Sequence, residues 1–255
     1  MKLKIEGLKY DIGKKKLLKG INLEVKNKSF VGLIGPNGCG KTTLLKNIYR
    51  YVSPKEGAVY IDNKNIYGLK NKELSKILAV VMQENNMEFD FTVKEIVTMG
   101  RFSSVGRFSS IDNNDEYLIE NALDNVGMKE YGNRNFLSLS GGEKQRVMIA
   151  MALCQNTDII VLDEPTNHLD IKYQVEIMHM LKQLGKTVFT TIHDMNIASS
   201  YCDYIYVMKQ GEIVRHGTIS EVFTEDMFRE IFNVNAYIYT NPYNKKLNIS
   251  YLQSS

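Results

Sequence analysis

The sequence predicts an α/β fold: a mostly parallel sheet with covered faces, preceded by an antiparallel β region and interrupted by a helical insert. Three observations predict it. Strand-like apolar runs alternate with helix-like segments along most of the chain, the pattern that builds a parallel sheet covered on its faces. The run Phe30–Ile34 is apolar throughout, as strands buried on both sides are, and it leads straight into a glycine-rich loop. From about Val93 to Ala152 the apolar spacing changes to that of helices.

Taken in order, Leu3, Ile5 and Gly7, then Ile21, Leu23 and Val25, alternate, which predicts antiparallel strands with one buried face. The triplet Lys14-Lys15-Lys16 between them reads as a solvated loop. After the glycine loop, residues 42–51 read as a helix, and residues 58–61 and 78–82 as strands. Val93, Ile96 and Val97, then Leu118, Ala122 and Val126, recur at helical spacing. Strands return at Ile159–Leu162, 187–192 and 204–208. No repeat, low-complexity segment or Pro/Gly/Ser linker divides the chain. The reading is a single core, about residues 1–84 and 155–255, carrying a helical subdomain at about 85–154.

With 255 residues, 44% hydrophobic and 24% charged, the chain can bury an ordinary soluble core. A formal net charge of +3 is too small to argue for nucleic acid. No apolar run approaches the ~18 residues needed to span a bilayer, and the start lacks the apolar stretch of a signal peptide. A link to a membrane is therefore expected to run through a partner. Cys39, Cys154 and Cys202 are odd in number and form no C-x-x-C pair, which fits reduced cytosolic thiols.

The chemistry begins with Gly35-Pro36-Asn37-Gly38-Cys39-Gly40-Lys41-Thr42, a full G-x-x-x-x-G-K-[ST] nucleotide loop. Its glycines let the backbone turn its N–H groups toward phosphate oxygens, and the following helix adds its positive end. Lys41 is expected at the β/γ-phosphates, Thr42 on Mg²⁺ and Thr43 at the α-phosphate. The helix start and Lys41 are also expected to favour a Cys39 thiolate. Asp163 ends an apolar strand, where α/β sheets bind ligands, and is placed to hold Mg²⁺. Glu164 follows and would polarise the attacking water as general base. His193, right after the apolar run 187–192, is expected to contact the γ-phosphate.

Between loop and carboxylates lies Leu139-Ser140-Gly141-Gly142-Glu143, a Leu-Ser-Gly-Gly segment at a helix start. In this order the motifs resemble those of the ATP-binding-cassette (ABC) ATPases, over nearly the whole chain. The resemblance implies a P-loop (RecA-like) ATPase core that uses ATP and Mg²⁺. It also implies an ATP-bound homodimer in which Ser140, Gly141 and Gly142 face the γ-phosphate held by the other copy. Gln83, ending the strand-like run 78–82, is similar to the family's lid glutamine, which approaches Mg²⁺ and the water. Asn167-His168-Leu169-Asp170 resembles the loop that crosses the dimer interface, with Asp170 its acidic member. Glu143 stands where Gln is commoner. The family stacks an aromatic ring on adenine: counting back from Lys41 gives Ile12, and the nearest aromatic, Tyr10, is the expected contact.

Within the family, the sugar-importer type carries a further regulatory domain for which no room is left after Met208. Exporters fuse membrane helices to the ATPase, and chromosome-condensation relatives insert long coiled coils. What remains resembles the stand-alone ATPase of importers for ferric siderophores, haem and cobalamin. Phe91 to Val97 with Gly100-Arg101, Thr166 to Ile171, and Gly217-Thr218 through Phe232-Asn233-Val234 carry this likeness. It implies a peripheral translocase subunit on the cytoplasmic face of the membrane. Its partners would be integral permease subunits and, indirectly, an extracellular or periplasmic substrate-binding protein. Residues 87–110 are the expected socket for a permease helix. The alternative is a soluble ABC ATPase that remodels a cytosolic partner such as an iron–sulfur assembly complex.

Overall fold

The computed structural model describes residues 1–82, 90–102, 111–167 and 169–252. In chain order the strands are β1 (Leu3–Ile12), β2 (Lys15–Val25), β3 (Phe30–Ile34), β4 (Glu56–Ile61), β5 (Lys64–Asn65), β6 (Leu78–Val81), β7 (Ile159–Leu162), β8 (Thr187–Thr191), β9 (Tyr204–Lys209), β10 (Glu212–Gly217), β11 (Asn235–Thr240) and β12 (Leu247–Leu252). The helices are α1 (Lys41–Ile48), α2 (Asn71–Leu74), α3 (Val93–Thr98), α4 (Asn113–Asn125), α5 (Gly141–Cys154), α6 (Ile171–Gln183), α7 (Met195–Tyr201), α8 (Ile219–Val222) and α9 (Glu225–Met227). They form two compact units, Met1–Gly68 with Gly185–Ser255, and Leu69–Leu184.

In the first unit, an antiparallel sheet of order β2-β1-β4-β5 buries Leu3, Ile5, Ile21, Leu23, Val25, Val59 and Ile61. The expected alternation in β1 fails at Gly7. The register slips between Ile5 and Leu8, Gly7 takes φ +56°, and Leu8 occupies the next buried place. A bulge inserts an unpaired residue and so shifts the buried phase.

The parallel strands of this unit place β3 between β8 and β9, with β10 antiparallel on β9. Every residue of β3 and β8 is buried, as parallel strands require. Thr187 and Thr190 of β8 are tolerated inside because their hydroxyls are bonded. Thr187 Oγ1 accepts from the Lys28 N–H at 2.9 Å, and Thr190 Oγ1 donates to the Thr191 carbonyl at 3.2 Å. The carboxyl ends of β3 and β8 lead into the glycine loop and to His193. Helix α1 ends at Ile48, earlier than the expected 51. Arg50 turns left-handed at φ +60°, and the Tyr51 N–H returns to the Lys46 carbonyl at 2.8 Å.

Beyond α9, a π-helical turn at Phe228–Phe232 leads to the β11–β12 hairpin. The Asn196 side chain of α7 acts as a strand partner for β12. Its Nδ2 donates to the Ile249 carbonyl at 3.2 Å, and its Oδ1 accepts from the Ile249 N–H at 2.8 Å. Ser199 Oγ adds a bond to the Leu247 carbonyl.

In the second unit β6 and β7 pair in parallel, and α3 and α4 pack on α5. Helix α5 buries Val147, Met148, Ile149, Ala150, Ala152, Leu153 and Cys154, nearly a full circumference. A Cβ at Gly100 would lie 2.3 Å from the Met151 carbonyl oxygen, so only glycine lets the chain after α3 rest on α5. Arg101 then reaches inward, with Nε 2.8 Å from Asp115 Oδ1 and Nη1 2.9 Å from the Cys154 carbonyl. The Arg101 hydrogen bond holds the Asp115 carboxyl below its ordinary range. Removing one partner of such a buried pair costs about 3–5 kcal/mol.

Candidate functional site

The glycine loop takes its shape from positions that admit no side chain. Gly35 sits at φ +155°, where a Cβ would lie 2.1 Å from the Met208 carbonyl oxygen. At Gly40, φ +113°, a Cβ would meet Met208 Cε at 2.8 Å and the Leu17 carbonyl oxygen at 3.1 Å. No side chain caps α1, which starts at Lys41, so its first-turn N–H groups are open to an anion. Lys41 is buried, and its Nζ donates to the carbonyls of Gly35 at 2.7 Å and Pro36 at 3.3 Å. Thr42 and Thr43 stand half-buried in the same first turn. An uncapped helix start, a glycine cradle, an amine and two hydroxyls fit a magnesium-bound nucleoside polyphosphate.

His193 shares a cavity of about 640 Å³ with Gly35, Pro36, Asn37, Gly38 and Cys39. Phe228, Phe232 and Tyr251, whose rings touch through Phe228, form one wall of the same cavity, and Lys209 and Gln210 also line it. That wall was not foreseen: it is assembled from residues far along the chain, and no local pattern marks them as neighbours of the loop. Tyr10 lies half-buried on β1 opposite Leu18, whose Cδ2 is 3.3 Å from the Cβ position at Gly40. Ile12, the other position considered for the adenine ring, is largely exposed. The expected Cys39 thiolate is corrected. Burial pushes the Cys39 thiol upward, and Lys41 opposes this only in part.

In the second unit, β7 is buried throughout and delivers Asp163 and Glu164, both buried, at its carboxyl end. The Asp163 N–H donates to the Val81 carbonyl at 2.9 Å. Glu164 takes φ +52°, a conformation rare for residues other than glycine and concentrated at functional sites. Its carboxylate accepts a hydrogen bond from Asn167 Nδ2, and the Asn167 N–H donates to the Glu164 carbonyl at 3.2 Å. Gln174 Nε2 ties the same loop down, donating to the carbonyls of Thr166 at 3.2 Å and Leu169 at 3.0 Å. The bracing by Asn167 and Gln174 was not read from the sequence. Gln83 and His168 lie outside the described residues.

Ser140 is the N-cap of α5 in a closed capping box. Its Oγ accepts from the Glu143 N–H at 3.3 Å and donates to Glu143 Oε2 at 2.8 Å, while its own N–H donates to the same carboxylate at 2.8 Å. These bonds hold the Glu143 carboxyl below its ordinary value, and Arg146 and Arg134 add to the effect. Ser140, Gly141, Gly142 and Asp170 line one cavity of about 530 Å³, together with Glu143, Arg146 and Tyr173. The Arg146 guanidinium stacks 4.1 Å from the Tyr173 ring centre. Beside the expected serine and glycines, Ser140 and Glu143 carry the Ser-x-x-Glu signature of the box.

Comparison with known proteins gives a consistent result. The family model described as ABC transporter matches residues 18–167. An iron(3+)-hydroxamate import ATP-binding protein, FhuC of Bacillus subtilis, is 38% identical over 248 residues, 96% of this chain and 92% of that protein. The petrobactin import ATP-binding protein FpuC of Bacillus anthracis is 37% identical, over 87% of this chain and 83% of that one. Among solved structures, the dimeric post-hydrolysis cassette MJ0796 bound to ADP and Pi is 34% identical with a TM-score of 0.76. That match covers 85% of this chain and 98% of the other.

Proposed function

This chain belongs to the ABC transporter ATPase family, and from that premise we propose that it powers import of a ferric siderophore through a partner permease. Its reaction is ATP hydrolysis. The loop N–H groups and Lys41 bind the β- and γ-phosphates, and Thr43 binds the α-phosphate. Thr42 and Asp163, with Gln83, would hold Mg²⁺, which would neutralise charge developing on the phosphates. Glu164 takes the proton of the attacking water, and His193 positions the γ-phosphate. Ser140, Gly141, Gly142 and Asp170 act on the nucleotide of a second copy, so the working unit is an ATP-bound homodimer. Tyr10 stacks on adenine.

The observation that carries hydrolysis is the braced left-handed turn at Glu164, which fixes a carboxylate beside Asp163. Glu164→Gln should keep ATP affinity, slow hydrolysis roughly 10²–10⁴-fold and let a stable dimer accumulate on size-exclusion chromatography. Near-normal turnover would sink the assignment.

The substrate reading is supported by the relatives, two of which are named for import of iron(3+)-hydroxamate and of petrobactin. A haem or cobalamin-type chelate is the next class. A deletion strain should lose growth on ferric hydroxamate or petrobactin as sole iron source; normal growth on both, with loss on haem or cobalamin, would reassign it. No described helix is long and apolar enough to cross a membrane, and a peripheral place on the cytoplasmic face is proposed. A cavity of about 450 Å³ lined by Asn71, Lys72, Met99, Gly100, Phe102 and Gln155 is the proposed socket for the permease. Phe102 is 63% exposed there. Residues 87–89 and 103–110 of the expected socket lie outside the described residues. Phe102→Glu should release the protein from permease-containing membranes and leave its free ATPase rate unchanged. Through the permease the subunit serves an extracellular or periplasmic substrate-binding protein.

A further inference from the structure

We propose that Glu143 is a positioning residue that sets how tightly two copies close on ATP, because its carboxylate both holds the Ser140 hydroxyl and places a fixed negative charge beside it. The inference rests on the reading that Ser140 faces the nucleotide of a second copy.

Three observations carry it. First, the Ser140 hydroxyl has one proton to give, and it gives it to Glu143 Oε2 at 2.8 Å. A phosphate oxygen arriving at Ser140 must replace that acceptor. Second, the same carboxylate oxygen takes the Ser140 N–H at 2.8 Å, so the charge is anchored at the helix start rather than free to swing away. Third, Glu143 lines one cavity with Ser140, Gly141, Gly142 and a second acid, Asp170, and among its described lining residues Arg146 is the one cation, with Arg134 acting on Glu143 from outside the lining. The Arg146 guanidinium stacks on the Tyr173 ring at 4.1 Å and donates from Nη1 to the Val126 carbonyl at 3.2 Å. Among the described lining residues the two acids thus outnumber the one cation.

A glutamine would close the same capping box, since its amide oxygen accepts the same donors. It would do so without charge, and hydrogen bonds to ionised acceptors are roughly twice as strong as neutral ones. Glu143→Gln therefore lowers two barriers in one direction: the hydroxyl is released more easily and the phosphate is no longer repelled.

The test uses the full chain carrying Glu164→Gln, so that ATP persists, and reads the dimer dissociation constant in Mg-ATP by analytical ultracentrifugation. Adding Glu143→Gln should tighten the dimer roughly tenfold or more at low salt, the scale of one unit charge near a surface. The gain should shrink severalfold at about 1 M salt, where the Debye length falls to ~3 Å. Glu143→Ala, which loses the cap as well, should still close more tightly than the parent while melting at a lower temperature. A purely structural role for Glu143 predicts weaker closure in that variant, and that result overturns the proposal, as do equal constants for Glu and Gln at every salt. Ser140→Arg in the same background separates the two readings. If it blocks closure while Glu143→Gln changes nothing, only this inference falls. If it closes normally, the placement of Ser140 falls and this inference with it.

Discussion

The nucleotide loop and the Ser140 segment are both glycine-rich entries to a helix, yet they reach their shapes by opposite means. The loop is set by backbone sterics: Gly35 and Gly40 stand where a Cβ would strike neighbouring atoms, and α1 has no side-chain cap. The Ser140 segment is set by side chains. Gly141 has open space around it, and the helix start is closed by the reciprocal bonds of Ser140 and Glu143. One helix start carries no side-chain cap, while the other bonds its Ser140 and Glu143 donors within the capping box. Phosphate affinity is therefore expected to reside in the loop, and control over closure in the Ser140 segment.

Activity offers the largest break. Lys41→Ala should lose nucleotide binding in the isolated chain, whereas Ser140→Arg should retain it and lose hydrolysis by ~10²-fold or more, the scale for losing groups that stabilise the transferring phosphate. Mixing the two proteins concentrates both lesions in one site of the heterodimer and leaves the other intact. Recovered turnover in the mixture supports the division of labour; equal loss of ATP binding in both single variants breaks it.

Stability comes next. Gly35→Ala places a methyl 2.1 Å from a carbonyl oxygen at φ +155° and should cost at least ~2 kcal/mol in urea unfolding. Gly141→Ala meets nothing within 4 Å and should be neutral, or stabilising by up to ~1 kcal/mol through reduced chain entropy. Similar costs at both glycines would erase the contrast.

A smaller effect separates the regions by pH. Because the folded Glu143 pKa lies below the ordinary 4.5, its cap contributes fully above that value. The contribution is lost as pH falls through the folded pKa. Ser140→Ala should cost about 1 kcal/mol at pH 7, the usual worth of an N-cap, and distinctly less near pH 3. A constant difference across that range would show the carboxylate to be irrelevant to the cap.

The smallest readout is Cys39 in the loop. Burial raises its pKa above 9.0, so the thiol stays protonated at neutral pH, and any stability gained from that form is lost only as pH rises past 9.0. Maleimide should modify it more slowly than a free thiol at pH 7 and gain speed at alkaline pH; rapid labelling at pH 7 would contradict this. Cys39→Ser should remain active.

The loop, the carboxylate pair and the Ser-Gly-Gly segment were legible because their chemistry demands fixed residues at fixed spacing, and the parallel strands because burial on both faces leaves an unbroken apolar run. What stayed hidden depends on contacts between distant residues or on backbone states with no residue code. The slip at Gly7 required knowing where β1 pairs, since a glycine in alternation looks like any small buried residue. The left-handed turn at Glu164 is invisible because glutamate does not advertise it. The β11–β12 hairpin carries only a weak sequence signal: Ala236 and Ile238, and Leu247 and Ile249, alternate, but tyrosines and polar residues fill the opposite face. The Cys39 expectation erred by weighing nearby charge without burial, a quantity known only after folding.

The clasp between Asn196 and β12 has a consequence for the order in which the molecule is made. In the helix that follows His193, the Asn196 side chain makes two bonds to Ile249, which is synthesised 53 residues later. At about 5–20 residues per second, a ribosome needs roughly 3–10 s to deliver them. Until then the polar groups of Asn196 and Ser199 remain with water, and α7 lacks the strand that covers it. The segment bearing His193 is thus among the last parts of its unit to be completed, and a pause in translation between residues 200 and 247 would prolong that unfinished state.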